Sequence, residues 1–217
     1  MSEKFSIANV LHRSWELYKG HAGNILLCLF LITFISIVFG TIRFFTPEDS
    51  WLLYLVSFAE TFTNVVMGIG FIRILLNITE EKEYSLATLF NQANPKLILH
   101  FVVGALISIV AICIGLFFLI IPGIYLAIRL QFLVYILLKQ SRPDFYKALK
   151  ISWRLTENKV WDLAALSFIS FCFMILGLLT FVVGIILIAP LAELFSVVAF
   201  TLIHSNLPSH SSRPSEG

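Results

Sequence analysis

Two long stretches of the chain carry almost no ionised side chains. The stretch from Leu97 to Leu138 contains only Arg129, and the stretch from Leu163 to Ile203 contains only Glu193. Each stretch is longer than 40 residues, whereas one helix that spans a bilayer needs about 20. Each stretch therefore has to cross the membrane, turn and cross back. This pattern predicts a polytopic membrane protein.

The pattern of apolar stretches and polar turns along the whole chain predicts an all-α fold with six transmembrane helices, arranged as three helical hairpins. A polar turn at 46–50 separates the first two helices, and Pro122-Gly123 separates the third and fourth. The turn between the last two has the weakest signal, because only Gly177, Thr180 and Gly184 could break a helix there. The predicted crossings are about 24–44, 52–74, 97–120, 124–138, 160–179 and 183–204.

The basic residues predict the orientation of these helices. Thirteen of the 15 lysines and arginines fall on one side of the six crossings, in the N-terminal segment, the two longer connections and the tail. The other side has Arg43 alone, and Arg129 lies within a crossing. Since lysine and arginine accumulate on the cytoplasmic side, both termini are predicted to be cytoplasmic. Charged residues are only 13% of the chain, against about 25% in soluble domains, which leaves little material for a separate soluble domain.

Two of the predicted cytoplasmic segments have the pattern of amphipathic helices. In residues 5–21 the apolar stripe is Ile7, Leu11, Trp15 and Tyr18, and in residues 142–156 it is Phe145, Leu149 and Trp153, with Ser141 as the predicted N-cap. Such helices either lie at the lipid headgroups or pack against the ends of the spans, and the sequence leaves both open. The residues predicted to meet anionic headgroups are Arg13, Lys19, Lys147, Lys150 and Arg154.

The two segments also resemble each other. Residues 11–17 and 149–155 share the pattern Leu-x-x-Ser-Trp-x-Leu, and a weaker copy starts at Ser85. An apolar hairpin follows each copy. The sequence therefore predicts one transmembrane domain over 1–207, built from three repeat units at about 1–78, 79–140 and 141–207. Residues 208–217 are predicted to be a disordered tail.

One segment carries a family resemblance. Ile121-Pro122-Gly123-Ile124-Tyr125-Leu126-Ala127-Ile128-Arg129-Leu130, followed by Ala148-Leu149-Lys150-x-Ser152-Trp153-x-Leu155-Thr156, resembles signature stretches of the glycerophosphoryl diester phosphodiesterase membrane-domain family and its YciC-like relatives. The strong match covers about residues 120–205. The resemblance implies a bacterial multi-pass inner-membrane protein. It does not imply the enzymatic activity, because the chain has no room for the phosphodiesterase barrel to which some relatives are fused.

Ionisable residues inside a membrane are the first candidates for function. Glu60, Arg129 and Glu193 each lie on the second span of their unit. We expect Arg129 to face the bundle interior and to pair with Glu60, with Glu193 or with both, while Gln131 and Asn64 complete the hydrogen bonds. Such a centre would act either as a structural clamp between helices or as a site for a substrate, a lipid headgroup or a proton. In a further alternative, Arg129 reaches the outer membrane surface.

The chain has no phosphate-binding loop, zinc-protease, nucleophile-elbow or dinucleotide motif. We therefore expect no catalytic residue, no cofactor and no resident metal, and no binding of nucleic acid. The expected partners are membrane lipids with anionic headgroups, with other membrane proteins or a second copy of the chain as further candidates. The expected role is non-enzymatic, in membrane organisation or interaction. The alternative is a small-molecule or lipid transporter or channel that uses the charged centre.

Overall fold

A computed structural model describes residues 5–91, 95–118, 120–140, 143–179 and 181–205. Over these residues the protein is all-α, which confirms the predicted fold class. A short 3₁₀ helix, Leu86–Leu89, lies between the second and third α-helices. The α-helices are α1 Ile7–Phe44, α2 Trp51–Thr79, α3 Pro95–Phe118, α4 Ile120–Leu130, α5 Leu133–Lys139, α6 Phe145–Thr156, α7 Val160–Leu179 and α8 Phe181–Ser205.

Six helical segments are long and apolar enough to cross a membrane, as the sequence predicts. Four of them are α1, α2, most of α3 and α7. The other two are the segment Ile121–Lys139, which contains most of α4 and all of α5, and the last 19 residues of α8. The predicted tail at 208–217, the predicted N-cap Ser141 and the turn residue Thr180 lie outside the described residues.

Four local predictions are wrong. The amphipathic segment 5–21 and the first span are one continuous helix, because Gly20 and Gly23 lower helix propensity without breaking the hydrogen-bond ladder as proline would. Pro122 and Gly123 do not form the turn between the third and fourth spans, because both lie in the first turn of α4, where proline is tolerated. The fourth span itself contains a turn at Gln131–Phe132, and the ring of Phe132 there is fully buried. Helix α6 begins later than predicted, because the carboxylate of Asp144 is its N-cap and accepts a hydrogen bond from the amide of Lys147 at 3.1 Å.

The second span of each hairpin is an inner helix and the first span is an outer one. Half or slightly more of the apolar window is buried in α2 (50%), in the α4–α5 segment (56%) and in α8 (56%). The corresponding share is 11% in α1, 11% in α3 and 17% in α7. The outer helices therefore present long apolar surfaces to their surroundings, as lipid-facing helices do.

The buried core is concentrated where the inner helices end, which we call the base of the bundle. Buried residues of α2 begin at Val66, and among the side chains of α8 that the structure describes, the large buried ones lie at Leu191 and beyond. Helix α5 is buried over most of its length, and the ring of Phe132 lies 5.6 Å from that of Phe200 in α8. The base is therefore where the three hairpins are joined.

The two predicted amphipathic segments, and the segment of the weaker copy that starts at Ser85, pack against the inner helices. The first turns of α1 contact α8, the 3₁₀ helix contacts α2, and α6 contacts α4 and α5. The hydroxyl of Ser14 donates to the carbonyl of Leu194 at 3.4 Å, and that of Ser152 donates to the carbonyl of Arg129 at 2.7 Å. Both serines are fully buried.

The predicted apolar stripes are displaced by about one residue. Trp15 is 48% exposed and Trp153 is 41% exposed, whereas their preceding serines face the bundle. A serine permits close approach of two helices and can hydrogen-bond the facing backbone, which a tryptophan at the same place would prevent. The rings of Trp15 and Trp153 therefore lie at the edges of the contacts that α1 and α6 make with the inner helices.

Candidate functional site

The predicted intramembrane centre is organised around Arg129, which lies near the end of α4 and is 6% exposed. Its Nε and Nη2 donate to the hydroxyl of Tyr125, one helical turn earlier, at 2.9 and 2.6 Å. Its Nη1 donates to the carbonyl of Trp153 at 2.9 Å and to the hydroxyl of Thr156 at 3.3 Å. These contacts confirm that Arg129 faces the interior of the protein.

Two aromatic rings enclose the guanidinium. Its central carbon lies 5.0 Å from the ring centroid of Tyr125 and 4.9 Å from that of Trp153. At these distances the negative face of each ring attracts the cation, by about 0.5–2 kcal/mol per contact. The charge of Arg129 is therefore held by neutral groups, namely two rings, one carbonyl and two hydroxyls.

The last turn of α6 positions this enclosure. Ser152 bonds the carbonyl of Arg129, and this contact fixes α6 against the end of α4. Thr156, four residues further, faces the same side and receives the guanidinium, while its own hydroxyl has the carbonyls of Ser152 and Trp153 within 3.1 Å. The two adjacent residues of the repeated sequence pattern therefore have separate roles. Ser152 holds α6 against α4, and Trp153 forms one wall of the arginine site.

The predicted pairing of Arg129 with Glu60 or Glu193 is wrong. Glu60 lies 3.9 Å from Arg43 at the end of α1, and Glu193 accepts a hydrogen bond from the hydroxyl of Tyr135 at 2.7 Å. The residues of the predicted centre do not form one cluster. Arg129 faces α6, Glu60 and Asn64 have partners on α1, and Glu193 has its partner on α5. The Nε2 of Gln131 is buried and has no hydrogen-bond partner among the described residues.

A cavity of about 700 Å³ adjoins Arg129. One wall is the face of α4, and the opposite wall is formed by the connection from α6 to α7 and the first turn of α7. This volume is within the usual range for small-molecule sites, about 300–1,000 Å³. Its lining residues are Ile121, Ile124, Tyr125, Ile128, Arg129, Glu157, Asn158, Lys159, Val160, Trp161, Asp162 and Ala164.

A second polar cluster, which the sequence analysis missed, lies at the base. The carboxylate of Glu80 forms ion pairs with Lys139 and, at 2.6 Å, with Lys82. Arg73 donates to the carbonyl of Leu138 at 3.0 Å, and His204 lines the same cavity of about 600 Å³. The signal in the sequence is that Glu80 directly follows the second span and Lys139 ends the fourth. Lysines at the ends of spans also indicate orientation, so this pattern does not by itself distinguish a polar cluster.

The ion pairs determine the ionisation of Glu80, which lies just beyond the end of α2. Burial by itself would raise the pKa of this carboxyl group. The hydrogen bonds from Lys139 and Lys82, together with their positive charges, outweigh burial and hold the pKa below its ordinary value. Glu80 therefore favours the ionised form more strongly in the folded protein than in the unfolded chain.

The predicted membrane-surface basic residues are mostly exposed. Lys19 on α1 is exposed, as are Lys147, Lys150 and Arg154 on α6. Arg13 is only half-buried and lines a second cavity at the base, of about 790 Å³, together with Glu80 and His204.

These observations define the class of protein: a polytopic, all-α membrane protein with six apolar helices in three hairpins. No protein-family model matches the chain, and no curated protein or solved structure shows significant similarity to it. The family resemblance therefore remains a hypothesis that depends on residues 121–130 and 148–156 alone.

Proposed function

We propose that this chain is a non-enzymatic, multi-pass protein of the bacterial inner membrane, with both termini in the cytoplasm. In this proposal it organises anionic lipids, and membrane proteins that bind to them, at the cytoplasmic leaflet. The family resemblance supports the bacterial location, and the distribution of lysine and arginine supports the orientation.

The observation that carries the proposal is the two-sided character of α6. Ala148, Ser152, Leu155 and Thr156 are buried against the inner helices. Lys147, Lys150 and Arg154 are exposed on the opposite side. The basic face is therefore presented by a helix that is fastened to the bundle and does not have to fold on the membrane.

The attraction between the basic face of α6 and an anionic leaflet amounts to a few kcal/mol at most, to an order of magnitude. A basic residue close to an anionic leaflet contributes about 1 kcal/mol, so three on one face contribute about 3 kcal/mol. This corresponds to roughly a hundredfold stronger attraction of that face to an anionic leaflet than to a neutral one. The contribution weakens with salt, because the side chains are exposed to solvent.

Three repeated units are part of the same proposal. Each amphipathic segment contacts the inner helix of the preceding unit, with α1 on α8 completing the cycle. The buried serines support this relation, because Ser14 and Ser152 occupy equivalent positions in the two sequence copies and each donates to a carbonyl of the inner helix that it contacts.

Spin-labelled phosphatidylglycerol and phosphatidylethanolamine in reconstituted membranes test the proposal. We expect the wild-type protein to immobilise phosphatidylglycerol preferentially, and the triple variant Lys147→Gln, Lys150→Gln, Arg154→Gln to lose most of this preference. The matched control Lys147→Arg, Lys150→Arg, Arg154→Lys keeps the charges and should keep the preference. Equal preference in all three proteins would contradict the proposal.

A second candidate function is transport of a lipid or small molecule, and the cavity beside Arg129 favours it. The separation of Glu60, Arg129 and Glu193 onto different partners argues against a shared charged pathway. Measuring the exchange of fluorescent phospholipids between leaflets of proteoliposomes separates the candidates. We expect exchange no faster than in protein-free vesicles, and rapid exchange would favour transport.

A further inference from the structure

The cavity beside Arg129 changes in character along its length. Arg129 lies at one end of the α4 wall, and Ile128, Ile124 and Ile121 follow toward the start of the helix. Eight residues separate Arg129 from Ile121, which corresponds to about 12 Å along a helix. On the opposite wall, Val160 and Ala164 of α7 add apolar surface. The cavity therefore fits an elongated molecule with a charged end and an apolar body.

Arg129, which lines one end of the cavity, has one N–H group without a hydrogen-bond partner among the described residues. A guanidinium has five N–H donors, and the hydrogen bonds to Tyr125, Trp153 and Thr156 account for four of them. Within the described part of the chain, no carboxylate forms an ion pair with Arg129. Arginine prefers phosphate or carboxylate oxygens as partners, and such charge-assisted bonds are about twice as strong as neutral ones.

Further charges at the cavity limit the choice of ligand. Lys159 supplies a second cation, whose Nζ also lies 4.3 Å from the ring centroid of Phe5. Glu157 and Asp162 line the same cavity. A phosphodiester accords with the two cations, and an ammonium or hydroxyl group beyond the phosphate accords with the two carboxylates. A fatty acid, with no group beyond its carboxylate, would leave these acidic residues unused.

The cavity is also open to the surroundings of the bundle. Ile121 is 81% exposed and Trp161 is 88% exposed, and both belong to apolar spans. A ligand can therefore enter from the lipid phase, with its apolar part in contact with the isoleucines of α4. A free phosphate or glycerol phosphate would leave this apolar wall without a partner.

The geometry points to a binding site for the phosphate group of a membrane phospholipid, with Arg129 and Lys159 at the phosphate and an acyl chain along Ile128, Ile124 and Ile121. This inference rests on the proposed function in one respect, that the lipid belongs to the leaflet at which the protein acts. The site itself is distinct from the exposed basic face of α6, since Lys147, Lys150 and Arg154 do not line the cavity.

Native mass spectrometry of the purified full chain tests the inference. The probes are phosphatidylethanolamine, phosphatidylglycerol and soluble glycerol 3-phosphate, each added to delipidated protein. We expect the delipidated wild type to bind one added phospholipid, and we expect Arg129→Gln to weaken this binding about tenfold or more. The control variant Arg43→Gln removes an arginine in the last turn of α1 that does not line this cavity, and it should bind phospholipid as the wild type does.

A second variant keeps the test decisive if Arg129→Gln does not fold. Ala164→Phe fills the apolar part of the cavity and leaves Arg129 in place, so phospholipid binding should fall. Unchanged phospholipid binding in Ala164→Phe, or binding of glycerol 3-phosphate but not of phospholipid, would overturn the inference. The triple glutamine variant of α6 separates this inference from the proposed function, because it should lose the preference for anionic lipid and keep the bound phospholipid.

Discussion

At the scale of single residues, tyrosine hydroxyls are partners of two intramembrane charges, since Tyr125 accepts hydrogen bonds from Arg129 and Tyr135 donates one to Glu193. Arg129 was expected to face the interior because an arginine exposed to lipid costs about 2.5–3.5 kcal/mol on insertion scales, and it is buried. Its partners depend on how α4 is rotated about its axis, which the sequence does not encode in any simple pattern. Tyr125 could have been anticipated, since residues four apart share a helix face, but Trp153 and Thr156 could not.

The partner of Glu193 can be tested by a double-mutant cycle. We expect Tyr135→Phe and Glu193→Gln to show a coupling of about 1–3 kcal/mol in the free energy of unfolding, because the Tyr135 hydroxyl donates to this carboxyl group at 2.7 Å. Unfolding by denaturant in detergent is the measurement. The cycle of Arg129→Gln with Glu193→Gln is the control and should be additive within about 0.5 kcal/mol. Coupling between Arg129 and Glu193 that exceeds the coupling with Tyr135 would contradict the structure.

Glu80 should give the protein an acid-sensitive stability. Its pKa is lower in the folded protein than its ordinary value of 4.5. The stabilisation from its ion pairs is therefore present above pH 4.5 and is lost as the pH falls through the lower, folded-state value.

The variant Glu80→Gln should be less stable than the wild type by about 1 kcal/mol near neutral pH. This difference should shrink as the pH falls from 4.5 through the lower folded-state pKa, because the carboxyl group is protonated first in the unfolded chain and then in the folded protein. Thermal unfolding across this pH range measures it. Glu48→Gln in the exposed turn after α1 serves as the control, and a stability difference for Glu80→Gln that stays constant with pH would rule out the ion-pair explanation.

At the scale of helices, the length of the apolar stretches predicts the transmembrane spans. Local residues predict only some of the positions at which the helices begin and end. The spans follow from the long runs, because no other arrangement hides so much apolar chain. The continuity of α1 was missed because a change from polar to apolar composition does not by itself interrupt a helix. The displaced stripes of α1 and α6 were missed because apolar periodicity assigns tryptophan to the core, whereas close helix contacts favour serine.

Gly70 provides a test of helix contact with a matched control in the same helix. A Cβ added to Gly70 would lie 2.5 Å from the Cα and the carbonyl oxygen of Leu89 in the 3₁₀ helix. A Cβ added to Gly68 meets nothing within 4 Å. We expect Gly70→Ala to destabilise the protein by about 1–3 kcal/mol because the 3₁₀ helix must move.

Gly68→Ala, by contrast, should be neutral or should stabilise the helix by up to about 1 kcal/mol. Thermal unfolding of the two variants, compared side by side, is sufficient to decide. Equal effects of the two substitutions would show that the 3₁₀ helix is not held against α2.

At the scale of the whole molecule, the architecture of inner and outer helices follows from hydrophobicity only in outline. The sequence placed all three intramembrane charges on second spans, and these spans are the inner helices. Polar residues are costly beside lipid, so helices that carry them are expected inside. Which segment closes the bundle could not be predicted, because the contact of α1 with α8 joins residues about 180 positions apart.

The proposed orientation predicts the behaviour of reporters attached to either end of the chain. Fusions of a fluorescent protein that matures only in the cytoplasm should be bright at both the N-terminus and the C-terminus. A fusion in the turn at 46–50 should be dark, and a periplasmic phosphatase at the same three positions should give the opposite pattern. A bright reporter in the turn together with dark termini would reverse the proposed topology.

The unbroken course of α1 has a mechanical consequence. A helix of 38 residues is about 57 Å long, nearly twice the thickness of the hydrocarbon layer. A rod of this length without a hinge responds to a thinner or thicker bilayer mainly by tilting. Because its first turns are fastened to α8 through Ser14 and Tyr18, any tilt of α1 displaces α8 as well. We therefore expect α1 to link the thickness of the membrane to the position of the C-terminal helix.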